Sequence, residues 1–125
     1  DKLRGYLADS ARYQPIVPIA PVREGADAIV GEMQRQYELY DECSCEILNL
    51  AVSGNTVFTE RVDTVRQLAS GQRTTTHVVG VFTLDSQGKI QWWREYWDAL
   101  DSSESMIRLC APLCALLQIQ WIIEI

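Results

Sequence analysis

Three short polar turns, Ser53-Gly54-Asn55, Ala69-Ser70-Gly71-Gln72 and Asp85-Ser86-Gln87-Gly88, cut the second half of the chain into four segments. These segments, residues 43–52, 56–68, 73–84 and 89–97, are rich in β-branched and aromatic side chains and read as strands. Strands joined by so few residues pair as antiparallel hairpins. Three hairpins in succession make a meander, and strands of this length have to curve around a covering layer.

The first forty residues supply that layer. Residues 1–8 read as the tail of a helix with Leu3, Tyr6 and Leu7 on one side, and residues 11–14 as a short strand. Pro15, Pro18 and Pro21 impose an extended loop, because proline fixes φ and lacks the backbone donor. From Gly25 to Tyr40 the apolar residues Ala26, Ile29, Val30, Met33, Tyr37 and Tyr40 recur at helical spacing. Helices first and a curved antiparallel sheet afterwards predict an α+β cone, with a pocket enclosed between helices and sheet.

A chain of 125 residues builds one such domain, spanning 1–125. Residues 1–100 form its core and 101–125 an apolar tail. In the tail, residues 102–117 have helical character broken by Pro112, while Ile119, Trp121, Ile123 and Ile125 alternate as in a strand. Such a terminal strand is expected to pack on the domain or on a partner subunit.

A net charge of −6 argues against nucleic acid as a partner, since phosphate binding needs a basic stripe. It suits a small neutral, hydrophobic ligand. The most apolar stretch, 109–125, is interrupted by Gln118, Gln120 and Glu124 and falls short of the roughly 20 apolar residues a membrane span requires. Of the four cysteines, Cys110 and Cys114 lie one helical turn apart, but His77 is the sole histidine and no second pair has metal-finger spacing. No metal and no cofactor are expected. The cysteines read as buried thiols of a reducing, cytoplasmic compartment.

The chemistry concentrates on two strands. In Thr59-Glu60-Arg61-Val62-Asp63, side-chain alternation puts Arg61 and Asp63 on one face. In Trp92-Trp93-Arg94-Glu95-Tyr96-Trp97-Asp98, it puts Trp93, Glu95 and Trp97 on one face and Trp92, Arg94 and Tyr96 on the other. If the Asp63 and Glu95 faces both line the concave side, two carboxylates flank Arg61. In an apolar pocket both do not ionise cheaply, so one holds a proton while the other stays charged. The charged one can take a proton from water, the protonated one can donate to a leaving oxygen, and an arginine bonded to both fixes their geometry. The competing reading is a cross-strand ion pair at a solvated edge, worth about 0.2–1 kcal/mol. Periodicity by itself favours the ion pair.

The order and spacing of Thr59-Glu60-Arg61-Val62-Asp63, Gly80-Val81-Phe82, Gly88-Lys89-Ile90 and Trp93-Arg94-Glu95-Tyr96-Trp97-Asp98 resemble the limonene-1,2-epoxide hydrolases. These belong to the wider NTF2-like and SnoaL-like superfamily, and the resemblance spans residues 3–98. It implies a cone-shaped homodimer that opens an epoxide with water in one step, without metal or covalent intermediate. It further implies Asp63 as general acid, Arg61 as the bridge, Glu95 as the base and Tyr13 as a holder of the water. Thr76, Val78 and Trp97 would line the substrate cavity, and Tyr40, on the apolar side of the helix with Tyr37, can direct its hydroxyl there.

Two departures stand out. Glu95 replaces the family's aspartate, and a shift near 1 Å can cost on the order of 100-fold in rate. Pro15 replaces an asparagine that binds the water, so Gln14 or the following loop would have to substitute. Without a well-held water, the same residues suit moving a proton within a bound substrate, as in an isomerase or cyclase. A third possibility is a non-catalytic domain that binds a ligand or a protein. Of the remaining residues, His77 points away from a pocket lined by Thr76 and Val78. Glu60, on the opposite face, is expected to pair with Arg94 or a lysine.

Overall fold

The computed structural model describes residues 2–98. One six-stranded curved sheet organises them, with strand order β2-β1-β6-β5-β4-β3. The strands are β1 (Leu7–Gln14), β2 (Arg23–Glu24), β3 (Tyr40–Ser53), β4 (Thr56–Gln67), β5 (Arg73–Leu84) and β6 (Ile90–Tyr96), and the helix α1 is Ala26–Tyr37. The expected meander is present as β3 to β6, each pair antiparallel. β1 runs parallel to β6 with Tyr13 opposite Trp93, so the sheet is mixed rather than wholly antiparallel. It remains open.

α1 is the single α-helix among the described residues, and it covers one face of the sheet. Its buried side chains Ala26, Ile29, Val30 and Met33 join Leu7, Ala11 and Tyr13 of β1, Val57 of β4, Phe82 of β5, and Ile90 and Trp93 of β6 in the main core. Alternation along β4 buries Val57, Thr59, Arg61, Asp63 and Val65 on this inner face. On β6 the inward positions Ile90 and Trp93 are three apart because the pairing with β5 slips between Thr83 and Leu84. This irregularity re-aims the rest of the strand, as bulges do.

The start of the chain departs from expectation. Residues 1–8 are not the tail of a helix: a 3₁₀ turn covers only Arg4–Tyr6, and Leu7 already opens β1. Leu7 pairs with Ile90 of β6, and Asp9 and Ser10 are exposed residues within the strand, where its register with β6 shifts, rather than a break. α1 ends at Tyr37, whose side chain is exposed rather than core. Tyr40 is the first residue of β3 and pairs with Gln67. Leu39 closes that corner by accepting a hydrogen bond from the Leu68 amide.

Cys45 carries a free thiol, whereas Cys43 is disulfide-bonded, which corrects the reading of Cys43 as a thiol. No helix among the described residues is long and apolar enough to cross a membrane. The helix and strand expected within 102–125, with Cys110 and Cys114, lie outside the described residues.

Candidate active site

Neighbouring strands bring the charged residues together in rows. Arg61 on β4 lies opposite Val78 on β5, Asp63 opposite Thr76, and Thr59 opposite Gly80, which in turn faces Glu95 on β6. All the side chains of these rows point to the inner face. The Arg61 guanidinium spans the two carboxylates: Nε donates to Asp63 Oδ1 and Oδ2 at 2.8 and 2.9 Å. Nη1 donates to Glu95 Oε2 at 2.8 Å, and Nη2 to Glu95 Oε1 at 2.9 Å. Arg61 and Glu95 are 0% and Asp63 2% exposed, so the solvated-edge ion pair is not what forms.

Burial sets the electrostatics. Desolvation raises the Asp63 pKa, and Arg61 only partly opposes it. Desolvation likewise raises that of Glu95, with the Asp63 charge adding to it against the guanidinium and the Trp93 hydrogen bond. Burial alone would lower the Arg61 pKa, but the two carboxylates outweigh it and keep the guanidinium charged. One cation therefore faces two acids, and a single proton shared by them makes the buried group neutral. Glu95 receives both guanidinium arms and is the better stabilised anion. Asp63 receives one bifurcated donor from Arg61.

Tyr13 is fully buried beside Glu95, with its ring centroid 4.3 Å from that of Trp93. Its hydroxyl has no hydrogen-bond partner among the described residues. Desolvation and the Glu95 charge raise its pKa, so it stays a neutral phenol able to donate or accept. Thr76 and Val78 stand on the inner face next to Asp63 and Arg61 and are buried, while His77 between them is exposed, as expected. Trp97 follows β6, half-buried, and its Nε1 donates to Pro15 O at 2.9 Å. Tyr40 donates its hydroxyl to Gln36 Oε1, and Gln36 Nε2 in turn donates to Glu32 at 2.9 Å.

Gln14 does not stand in for the asparagine that Pro15 replaces. Its amide is turned to the loop, donating to Pro18 O and Ala20 O at 3.4 and 3.0 Å. Glu60 accepts from Asn49 Nδ2 at 2.7 Å instead of pairing with Arg94 or a lysine. Arg94 instead lies on the outer face, near Trp92.

Three contributors escaped the sequence reading. Trp93 Nε1 donates to Glu95 Oε1 at 2.9 Å. The Cys45 thiol, opposite Asp63 on β3, is pushed up to about 12 by burial and by the Asp63 charge. Gly80 leaves the room the cluster occupies, for a Cβ there would lie 2.9 Å from Arg61 Nη1 and 3.0 Å from Glu95 Oε2. The hairpins were readable in the sequence, but neither the register that sets Gly80 between Thr59 and Glu95 nor the close approach of the guanidinium was. Among the described residues no group of His, Cys, Asp and Glu is placed to hold a metal ion.

Solved structures with this arrangement of helix and sheet include an LEH-like epoxide hydrolase from M. tuberculosis. It matches with a TM-score of 0.71 and 26% identity, over 94% of this chain and 82% of the other. A protein assigned as a SnoaL-like polyketide cyclase from Jannaschia sp. CCS1 matches with a TM-score of 0.70 and 22% identity, over 88% and 77%. An NTF2-like protein of unknown function from Burkholderia pseudomallei K96243 matches with a TM-score of 0.70 and 15% identity, over 86% and 82%. The last two share the fold, that of the NTF2-like proteins. The family model of the limonene-1,2-epoxide hydrolase catalytic domain matches residues 1–108, and with that the chain belongs to the limonene-1,2-epoxide hydrolase family.

Proposed function

We propose that this chain is an epoxide hydrolase that opens a hydrophobic, terpenoid-like epoxide by one-step attack of water. The observation that carries the reading is the buried Arg61 clamp between two carboxylates, with the Tyr13 hydroxyl, which has no hydrogen-bond partner among the described residues, within the field of Glu95. In the proposed step Tyr13 and Glu95 hold a water. Its oxygen bonds to an epoxide carbon as a proton passes to Glu95, and the carbon–oxygen bond breaks as Asp63 gives its proton to the departing oxygen. The product is a diol. The proton gained by Glu95 returns to Asp63 through Arg61 or solvent, and the cycle closes with no change in the protein. Thr76, Val78, Trp97 and Tyr40 are proposed to bound the substrate cavity.

A second reading is favoured by one observation: Pro15 offers no side-chain donor, and Gln14 is committed to the loop. With Tyr13 and Glu95 alone to hold a water, the same acid and base suit proton transfer within a substrate, as an isomerase or cyclase performs. A non-catalytic binding domain is the third reading, which the buried cost of an acid–base trio disfavours.

The family resemblance also implies a homodimer. Exposed Phe58, Val79 and Tyr96 on the outer face of β4 to β6 make that face the proposed contact.

The experiment is turnover of a panel of terpenoid and fatty epoxides in ¹⁸O-labelled water, beside Asp63→Asn. Labelled diol from the wild type, lost by about 100-fold or more in the variant, is expected. Isomerised or cyclised products without label would shift the assignment to the second reading. Diol formation that survives in Asp63→Asn would remove the acid from its role.

A further inference from the structure

Glu95 is held by more than the arginine clamp. Its Oε1 accepts two hydrogen bonds, from Arg61 Nη2 and from Trp93 Nε1, both at 2.9 Å, whereas Oε2 accepts one, from Arg61 Nη1 at 2.8 Å. A carboxylate oxygen offers two in-plane lone pairs. Oε1 is therefore filled, and one lone pair is left on Oε2. The indole that makes the difference is itself fixed, 0% exposed, with Tyr13 at 4.3 Å and Phe82 at 5.6 Å between ring centroids.

We propose that Trp93 is a positioning residue for the base: its N–H occupies Oε1, locks the terminal torsion of Glu95, and leaves Oε2 as the oxygen that takes the proton. This rests on the acid–base assignment above and extends it. A glutamate has one more rotatable bond than an aspartate, and its terminal torsion is broad in energy. The guanidinium holds both oxygens in one plane, and the indole donor, from a different residue, adds a third bond that keeps Oε1 occupied. The same contact ties the base to the water holder, since Trp93 packs on Tyr13 across the parallel β1–β6 pairing.

A donor to an ionised carboxylate also favours the charged form, so its removal moves the Glu95 midpoint upward. The ionisable groups around Glu95 are Arg61 and Asp63 on β4, Tyr13 on β1 and Cys45 on β3; from α1 the buried Glu32 acts on Tyr13. Trp93→Phe changes none of them and keeps an aromatic ring against Tyr13 and Phe82.

The test uses the full chain labelled with ¹³C at the glutamate carboxyls, with the Glu95 resonance identified by its absence in Glu95→Gln. Trp93→Phe is expected to raise the Glu95 midpoint by about one pH unit, the scale of one charge-assisted hydrogen bond. On an epoxide that the wild type opens, such as limonene oxide, the acid limb of kcat moves up by the same amount while KM stays within about twofold. If Trp93→Phe does not fold, 3-benzothienylalanine at position 93 keeps the ring size and replaces the N–H by sulfur. A midpoint that stays in place overturns the role of Trp93 and leaves the hydrolase reading standing. A shifted midpoint in a protein that opens no epoxide supports the contact and counts against the hydrolase.

Discussion

Two arginine–carboxylate clusters on the same sheet invite comparison. At one end of β3, β4 and β5, Arg66 donates through Nε and Nη2 to Asp41 at 2.8 and 2.7 Å, and Arg73 pairs with Glu42. In the middle of the sheet, Arg61 makes contacts of the same length to Asp63 and Glu95. The geometry is nearly equal, yet the side chains of Arg66 and Asp41 are 36% and 43% exposed and those of the central trio 0% to 2%. Water screens the outer cluster, and such pairs contribute little. The inner one has lost its hydration, so its stability depends on mutual pairing and its protons become chemically useful. Burial, rather than the ion pair itself, separates a surface ornament from a candidate acid–base device.

Cutting each cluster at its arginine breaks this comparison most sharply. Arg61→Leu leaves two acids buried without a counter-charge and is expected to cost about 3–5 kcal/mol in urea unfolding. Arg66→Leu is expected to leave the unfolding midpoint and any turnover essentially where they are. Equal losses from the two would mean that burial is not the deciding variable.

A milder change moves the clamp instead of deleting it. Gly80→Ala sets a methyl 2.9 Å from Arg61 Nη1 and 2.9 Å from Phe82 Cε1, so something has to shift. The expected loss is about 1–3 kcal/mol of stability, with on the order of 100-fold in kcat on an epoxide substrate. Full activity in this variant would show that the guanidinium tolerates displacement.

The smallest effect is the stability-versus-pH signature of Asp63. Its pKa is raised in the folded chain above the ordinary 3.8, so folding binds the proton more tightly than the unfolded chain does. The favourable contribution is fully present below 3.8 and is lost as pH rises through the folded-state value. Asp63→Asn has no such proton to lose. Thermal melts from acid to neutral pH are therefore expected to show the variant gaining on the wild type as pH rises. A wild type that gains on the variant as pH rises would mean instead that Asp63 is held ionised.

Much of this was legible in the chain. The glycine turns at Gly54, Gly71 and Gly88 announced the hairpins, but not the rows: closing the strands directly on the turns 69–72 and 85–88 would set Asp63 opposite Val78 and Gly80 opposite Trp93, whereas they face Thr76 and Glu95. The inward direction of Arg61 followed from alternation once the face was known, but alternation does not say which face is covered. That is decided by α1, packed over the inner face. The start of the chain was misread because Leu3, Tyr6 and Leu7 fit a helical stripe as well as a strand, and a parallel partner some eighty residues away leaves no local mark. Tyr37 and Tyr40 shared a helical spacing, yet only Tyr40 is buried, since the helix stops before it. Trp93 was assigned to the right face without any hint of its bond to Glu95, because a two-residue step along one strand is read as packing.

The parallel pairing of β1 with β6 has a consequence for how the domain comes to exist. Tyr13 leaves the ribosome ahead of the whole meander, and its register partner Trp93 is made on the last of the meander's strands. Until β6 emerges, β1 has no neighbour on that side, and Glu95 has not yet been joined to the growing chain. The middle hairpins can form from local contacts, whereas this last pairing closes a loop of most of the domain and is entropically slow. Assembly of the centre is thus the final act of folding, and a nascent chain arrested before residue 93 would carry Arg61 and Asp63 without their counterpart.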